Sequence, residues 1–284
     1  MKKHWILLLL ITALFSSCEE MVTTIDVPGS ESHYVLHSYL SPEDSVVMVL
    51  VNRSTPVFGE QTSLTDTSWI THVKLYINGF ELPRQTWTED QNGNFKFQVS
   101  QSLFPILPGE TYKVELKIDG VTECSGSCTI PLQTNQSMVF SGYDSTHYLD
   151  DEYYSYYAIY SFIDAIGEGN FYRVGAELGY IDSWSGDSVW NIIYPEVEYF
   201  MKDIDHDGQE ISGRIFYYYD SSRDSVTSLK LTLYTTDEIY YNYHRAILSQ
   251  NGDDPFSEPV IVPTNIENGL GCVAAYRKFT VTVL

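Results

Sequence analysis

Lys202-Asp203-Ile204-Asp205-His206-Asp207-Gly208 is the densest group of metal-ligating side chains in the sequence. Its D-x-D-x-D-G order matches the first half of a calcium loop. In such loops carboxylates at alternate positions converge on a hard cation and the glycine permits a sharp turn. The second half departs from the pattern. The twelfth position falls on Arg214, where a bidentate carboxylate is needed, and Glu210 is the nearby acid that substitutes. The spacing is not that of an EF-hand. It allows two readings, an ion-free acidic hairpin turn or a looser calcium site built from Asp203, Asp205, Asp207 and Glu210. Calcium is the one cofactor these residues suggest. His33 and His37 also lie four apart, but that spacing converges on a helix and here falls in a strand pattern. No nucleophile elbow, zinc-protease helix motif, P-loop or dinucleotide fingerprint is present. No two acids can be placed across a cleft from spacing alone. No catalytic residue is expected, and the chain reads as a non-enzyme.

Cys124 and Cys128 allow two readings. In an extended strand they stand roughly 13 Å apart, beyond disulfide reach. A bend at Ser125-Gly126 would let them pair; without it they are buried free thiols.

The start of the chain carries a different chemistry. Met1-Lys2-Lys3-His4 is basic, Trp5 to Phe15 is apolar, and Leu14-Phe15-Ser16-Ser17-Cys18 closes the run. The run is shorter than the ~20 residues a spanning helix needs, and it reads as a signal peptide over 1–17. Its end resembles a bacterial lipobox, which makes Cys18 the lipidated first residue of the mature chain, carrying palmitate-type acyl chains. Residues 18–32 then form a lipidated tether, and Glu19-Glu20 resembles a surface-export signal. Removing 1–17 removes Lys2 and Lys3, so the mature charge is 14 − 38 = −24. Such acidity excludes nucleic acid as a partner, because phosphate contacts need Lys and Arg.

These residues must be positioned by strands. Residues 33–132 alternate with the period of two of half-buried strands, as in Tyr34–Leu40, Val46–Val51 and Thr111–Ile118. Asn78-Gly79, Asn92-Gly93 and Asp119-Gly120 mark tight hairpins. About seven strands in about 100 residues predict an immunoglobulin-like β-sandwich over 33–132. Pro131 ends it. A Tyr-rich β domain over 133–284 follows, since residues 143–244 hold 18 of the 23 tyrosines. Its predicted strands are Tyr153–Ala165, Phe171–Ile181, Val189–Tyr194, Ile211–Tyr219, Val226–Tyr234 and Val273–Leu284. The tyrosines suit either an aromatic surface for a glycan or protein, or a sheet covered on both faces. Thr235 to Glu238 supplies a cap and acidic first turn for one late helix, about 236–250.

The stretch Asp254-Pro255-Phe256-Ser257-Glu258-Pro259, followed by Pro263-Thr264-Asn265-Ile266-Glu267-Asn268-Gly269-Leu270-Gly271, resembles the closing motif of a Bacteroidota lipoprotein family, domain of unknown function 4249. Gly109 to Val114 and Thr129-Ile130-Pro131 fit the same family, and the resemblance covers the mature chain. It implies a lipid-anchored outer-membrane protein facing the cell exterior. Its implied role is accessory subunit of a TonB-dependent β-barrel receptor in nutrient uptake or envelope assembly, with an unidentified small-molecule or glycan ligand. The alternative is a structural or adhesive cell-surface protein, calcium-stabilised. The family carries no catalytic residues to transfer, and Cys272 stands where it commonly has an aromatic or apolar residue.

Overall fold

Apolar alternation decides where the first strands run. They are β1 (Tyr34–Leu40), β2 (Val46–Arg53), β3 (Val73–Ile77), β4 (Phe80–Glu81), β5 (Phe95–Ser100), β6 (Thr111–Ile118) and β7 (Val121–Thr129). Asn78 and Gly79, and likewise Asp119 and Gly120, all have positive φ, as the predicted two-residue turns require. A 3₁₀ turn, Ser68–His72, leads directly into β3. The second half adds β8 (Val139–His147), β9 (Tyr154–Ile163), β10 (Phe171–Ile181), β11 (Ser188–Ile192), β12 (Phe200–Lys202), β13 (Glu210–Tyr217) and β14 (Ser225–Thr236). Helix α1 (Glu238–Leu248) and strands β15 (Ile266–Glu267) and β16 (Leu270–Thr282) complete it. The fold is mostly β with one α-helix among the described residues.

The computed structural model describes residues 32–55, 68–83, 95–147, 154–204, 207–217, 225–250 and 260–284. The chain divides into two units. One, Met1–Glu31 with Thr55–Thr62, lies outside the described residues apart from Thr55. The predicted signal peptide, Cys18 and the tether to residue 31 fall there, and the Asn92-Gly93 turn is also outside. The other unit, Ser32–Ser54 with Ser63–Leu284, is the body described below.

One long sheet runs β11-β10-β14-β16-β1-β2-β5, with β12 also on β10. It crosses the expected boundary at 132/133, because β16 pairs in parallel with β1 from Val35↔Leu270 to Leu40↔Ala275. The C-terminal strand therefore lies beside the N-terminal one. Two further sheets, β15-β7-β6-β3-β4 and β13-β9-β8, complete the body.

Period-two alternation along β16 sorts its side chains between cores. Val273 and Ala275 join the first core, with Leu36, Val49, Leu75, Val114 and Leu116. Cys272 and Ala274 join a cluster with Tyr240, Tyr241 and Tyr243 of α1. Farther along, Phe279 and Val281 pack on a third core built from Tyr172, Val174, Leu178, Leu231 and Ile215. A strand buried on both faces must be apolar or small throughout, and Gly271-Cys272-Val273-Ala274-Ala275 meets that need. The helix contributes three buried tyrosines, each stabilising by about 1.5–3 kcal/mol. Asp237 caps it by accepting from the Tyr240 N–H at 2.7 Å.

The Asn265–Gly271 turn holds β16 in place. The Asn265 amide donates to the Ser127 and Val273 carbonyls at 2.9 and 2.7 Å and accepts from the Val273 N–H at 3.0 Å. Ile266 enters the first core opposite Gly126. Gly271 has φ +103°, and a Cβ there would stand 2.1 Å from the Leu36 carbonyl oxygen. Only glycine fits that approach.

The possible Cys124–Cys128 disulfide is corrected: both are buried free thiols, as is Cys272. Cys124 pairs with Leu116 and Cys128 with Tyr112 along an unbent stretch of β7. The ladder to β6 holds Ser125-Gly126 extended and keeps the sulfurs apart. Burial pushes the Cys124 thiol up to about 12 and the other two up as well, so all three stay protonated and unreactive.

Candidate functional site

Three strand ends meet at one acidic corner. Asp164 directly follows β9, and its N–H donates to the Gln209 carbonyl at 2.8 Å, prolonging the β9–β13 ladder. Asp203 directly follows β12, and its N–H donates to the Asn170 carbonyl at 3.0 Å, prolonging the β10–β12 ladder. Asp207 precedes Gly208, whose φ is +66°. One oxygen from each carboxylate lies within 4.8 Å of the others. Asp164 is buried, Asp203 half-buried and Asp207 exposed.

Cross-links between loops hold the corner. The Gly167 N–H donates to Asp207 Oδ1 at 2.8 Å, and the Gly208 N–H donates to Asp164 Oδ2 at 3.1 Å. The Asn170 amide donates to the Ala165 and Gly167 carbonyls, closing the loop between β9 and β10. Like charges at such separations repel by about 4 kcal/mol per pair at 4 Å near a protein surface. The donors are all carboxylate oxygens, which select a hard cation.

Of the predicted ligands, Asp203 and Asp207 come together here and Asp205 lies outside the described residues. Glu210 does not join the described cluster. It is exposed at the start of β13, in register with Ile163. Alternation along the strand carries its side chain away, which corrects its expected role. Asp164 is the member of the cluster that spacing missed. It reaches the corner only through the β9–β13 pairing, and nothing local to residue 164 signals that.

His33 and His37 do not converge. His33 is exposed before β1, whereas the His37 ring bonds the Tyr243 hydroxyl at 2.6 Å under α1. Beside it the His244 ring stacks on Tyr240 with centroids 4.0 Å apart, and its Nδ1 lies 2.8 Å from the Tyr240 carbonyl. Burial holds His244 down at about 4, and burial also lowers His37. Asp237 is raised to about 7 by burial, although the Tyr240 and Ala275 N–H groups oppose the shift. These groups pack the helix onto the sheet. No serine or cysteine bonds either imidazole among the described residues.

Beside β9 and β13 lies a groove of about 850 Å³. Tyr157, Phe216, Arg214, Glu196, Glu198 and Tyr199 line it. Its volume falls in the small-molecule range. The Arg214 guanidinium stands 4.2 Å over the Tyr157 ring and 3.7 Å from Asp144. The Glu196 carboxyl is raised because in its protonated form it donates a hydrogen bond to Glu198. The two acids are neighbours on one turn, so no sugar ring fits between them as glycoside hydrolysis requires. The tyrosines divide between core and groove. Tyr217 fills the core, Tyr160 is buried in the core and also borders the groove, and Tyr157 lines the groove.

Residues 21–282 match the family described as Domain of unknown function (DUF4249). The chain belongs to that family. Among curated proteins no relative matches. The DUF4249 match takes in the acidic corner, the groove and the Asn265–Gly271 turn. The motif that carried the resemblance has a structural task, since Asn265, Ile266 and Gly271 lock β16 against β7 and β1. Its proline-rich beginning, up to residue 259, lies outside the described residues.

Proposed function

We propose that this protein is a non-enzymatic binding protein, lipid-anchored through Cys18 to the outer membrane and facing the cell exterior. In this reading it serves a TonB-dependent β-barrel receptor as an accessory subunit in uptake or assembly. The observation that carries it is the basic–apolar–lipobox order of residues 1–18, ending on Leu14-Phe15-Ser16-Ser17-Cys18. The aromatic groove beside Arg214 supports a small-molecule or glycan ligand, because rings and a few convergent polar groups are what such sites use. The test is fractionation of cells expressing the wild type and Cys18→Ser. Wild type should stay with the outer membrane and co-purify in detergent with a β-barrel; the variant should be released. Membrane retention of Cys18→Ser would overturn the anchor. Absence of any β-barrel partner would overturn the accessory role.

We further read the layers around the first core as an immunoglobulin-like sandwich completed by β16. The orders β1-β2-β5 and β7-β6-β3-β4 support this, matching the A-B-E and G-F-C-C′ layers of that fold. So does Tyr112 at the start of β6. Its hydroxyl accepts from the Leu107 N–H at 2.8 Å and donates to the Pro105 carbonyl at 3.3 Å, the arrangement of a tyrosine corner. A crystal structure whose layers follow another strand order would refute it.

A further inference from the structure

We propose that Asp164, Asp203 and Asp207 form a calcium site that ties together the ends of β9, β12 and β13. The decisive observation is Asp164 Oδ1. The residue is only 3 % exposed, and this oxygen is buried with no hydrogen-bond partner. Its sister Oδ2 is occupied by the Gly208 N–H. A buried carboxylate oxygen left without a donor is costly, and native structures rarely keep one without an ion, a water or a task. Neighbouring groups do not supply the donor. The Tyr172 hydroxyl accepts from the Ala165 N–H and the Asn135 amide. Burial raises it, and it lies close enough to the Asp164 carboxylate to be raised by that too, but it does not reach hydrogen-bond geometry at Oδ1. The Lys202 ammonium sits over the Phe171 ring, 5.4 Å from its centroid. Among the described residues Asp164 and Asp207 enter no ion pair.

The geometry suits one ion. Two oxygens that both touch calcium at about 2.3–2.6 Å can stand no more than about 5 Å apart, and the three ligand atoms lie within 4.8 Å of one another. Calcium takes about 6–8 oxygens, so carbonyls and water complete the shell on the exposed Asp207 side. Three carboxylates contribute up to three negative charges, which a divalent ion offsets.

The test uses the full chain, stripped with chelator and titrated with calcium chloride. Thermal melting and tyrosine-sensitised terbium luminescence are the readouts. The melting temperature should rise by roughly 5 °C at saturation. Calcium should displace terbium, and Asp203→Asn and Asp207→Asn should each lose at least roughly ten-fold in affinity. Asp164→Asn should melt no lower than wild type in chelator, because it removes a repelling charge, yet fail to respond to calcium. If Asp164→Asn does not fold, the Asp203 and Asp207 variants decide. A wild-type melting temperature unmoved by about 10 mM calcium would overturn the site. So would Asp203→Asn and Asp207→Asn variants with an undiminished response. An equal shift with magnesium would overturn the choice of calcium.

Discussion

The Asn265–Gly271 turn and the Asp164–Asp203–Asp207 corner both fasten segments far apart in the chain, by opposite means. The turn is neutral. Its amide makes three hydrogen bonds, and its glycine lies against a neighbouring backbone. The corner gathers like charges and leaves one buried oxygen without a donor. Asp237 marks the distinction. It too is a buried carboxylate, but its two oxygens accept from the Tyr240 and Ala275 N–H groups at 2.7 and 2.9 Å. The difference teaches that the turn satisfies its polar groups within the polypeptide, whereas the corner leaves a buried carboxylate oxygen open to an ion.

The comparison breaks most easily at Gly271. Gly271→Ala places a methyl group against the Leu36 carbonyl at a backbone angle that alanine avoids. It should cost about 4 kcal/mol or more, measured by urea unfolding. A variant as stable as wild type would show that β16 is not locked as described.

Next in size is pH. Asp237 is held at about 7 in the fold against an ordinary 3.8. It therefore contributes stability that is complete below about pH 4 and is lost as pH rises through 7. His244 is held at about 4 against an ordinary 6.5. It contributes stability present above about 6.5 and lost as pH falls through 4. The two nearly cancel in the wild type. Asp237→Asn should leave the histidine effect exposed, so stability falls by on the order of 3 kcal/mol from pH 7 to 4. His244→Asn should show the reverse slope. Parallel pH profiles for both variants and the wild type would overturn the opposed effects of Asp237 and His244.

Asn265→Ala should cost about 2–3 kcal/mol, because it strands the Val273 N–H and two carbonyls. It should leave calcium affinity at the corner unchanged, and a joint loss would show that the two fastenings are coupled. The smallest effect is expected for Tyr112→Phe, about 1–2 kcal/mol. It removes the acceptor of the Leu107 N–H while the ring stays buried. Equilibrium unfolding reads it, and no loss would remove the tyrosine corner.

Much of the fold was legible because its signals are local. The alternation in Tyr34–Leu40 and Thr111–Ile118 and the apolar run of Phe171–Ile181 place β1, β6 and β10 with the same bounds. Asn78-Gly79 and Asp119-Gly120 declare their turns through backbone preference, and Asp237 announces the helix start. Strands β8 and β12 were missed, since Val139–His147 mixes glycine and polar residues and Phe200–Lys202 is too short for a period. At the acidic corner, spacing identified Asp203 and Asp207 but substituted Glu210 for Asp164.

Sequence alone determined the strand period, the tight turns and the helix cap, because each depends on residues adjacent in the chain, and the acidic balance, because it is a sum over the composition. Only the tertiary structure decided that β16 lies beside β1, that Cys272 faces the helix while Val273 faces the first core, and that Asp164 joins Asp203 and Asp207. Those outcomes depend on which strand edges pair and which faces are covered. Pairing is chosen by the collective burial of side chains from distant segments, so no local window of residues contains it.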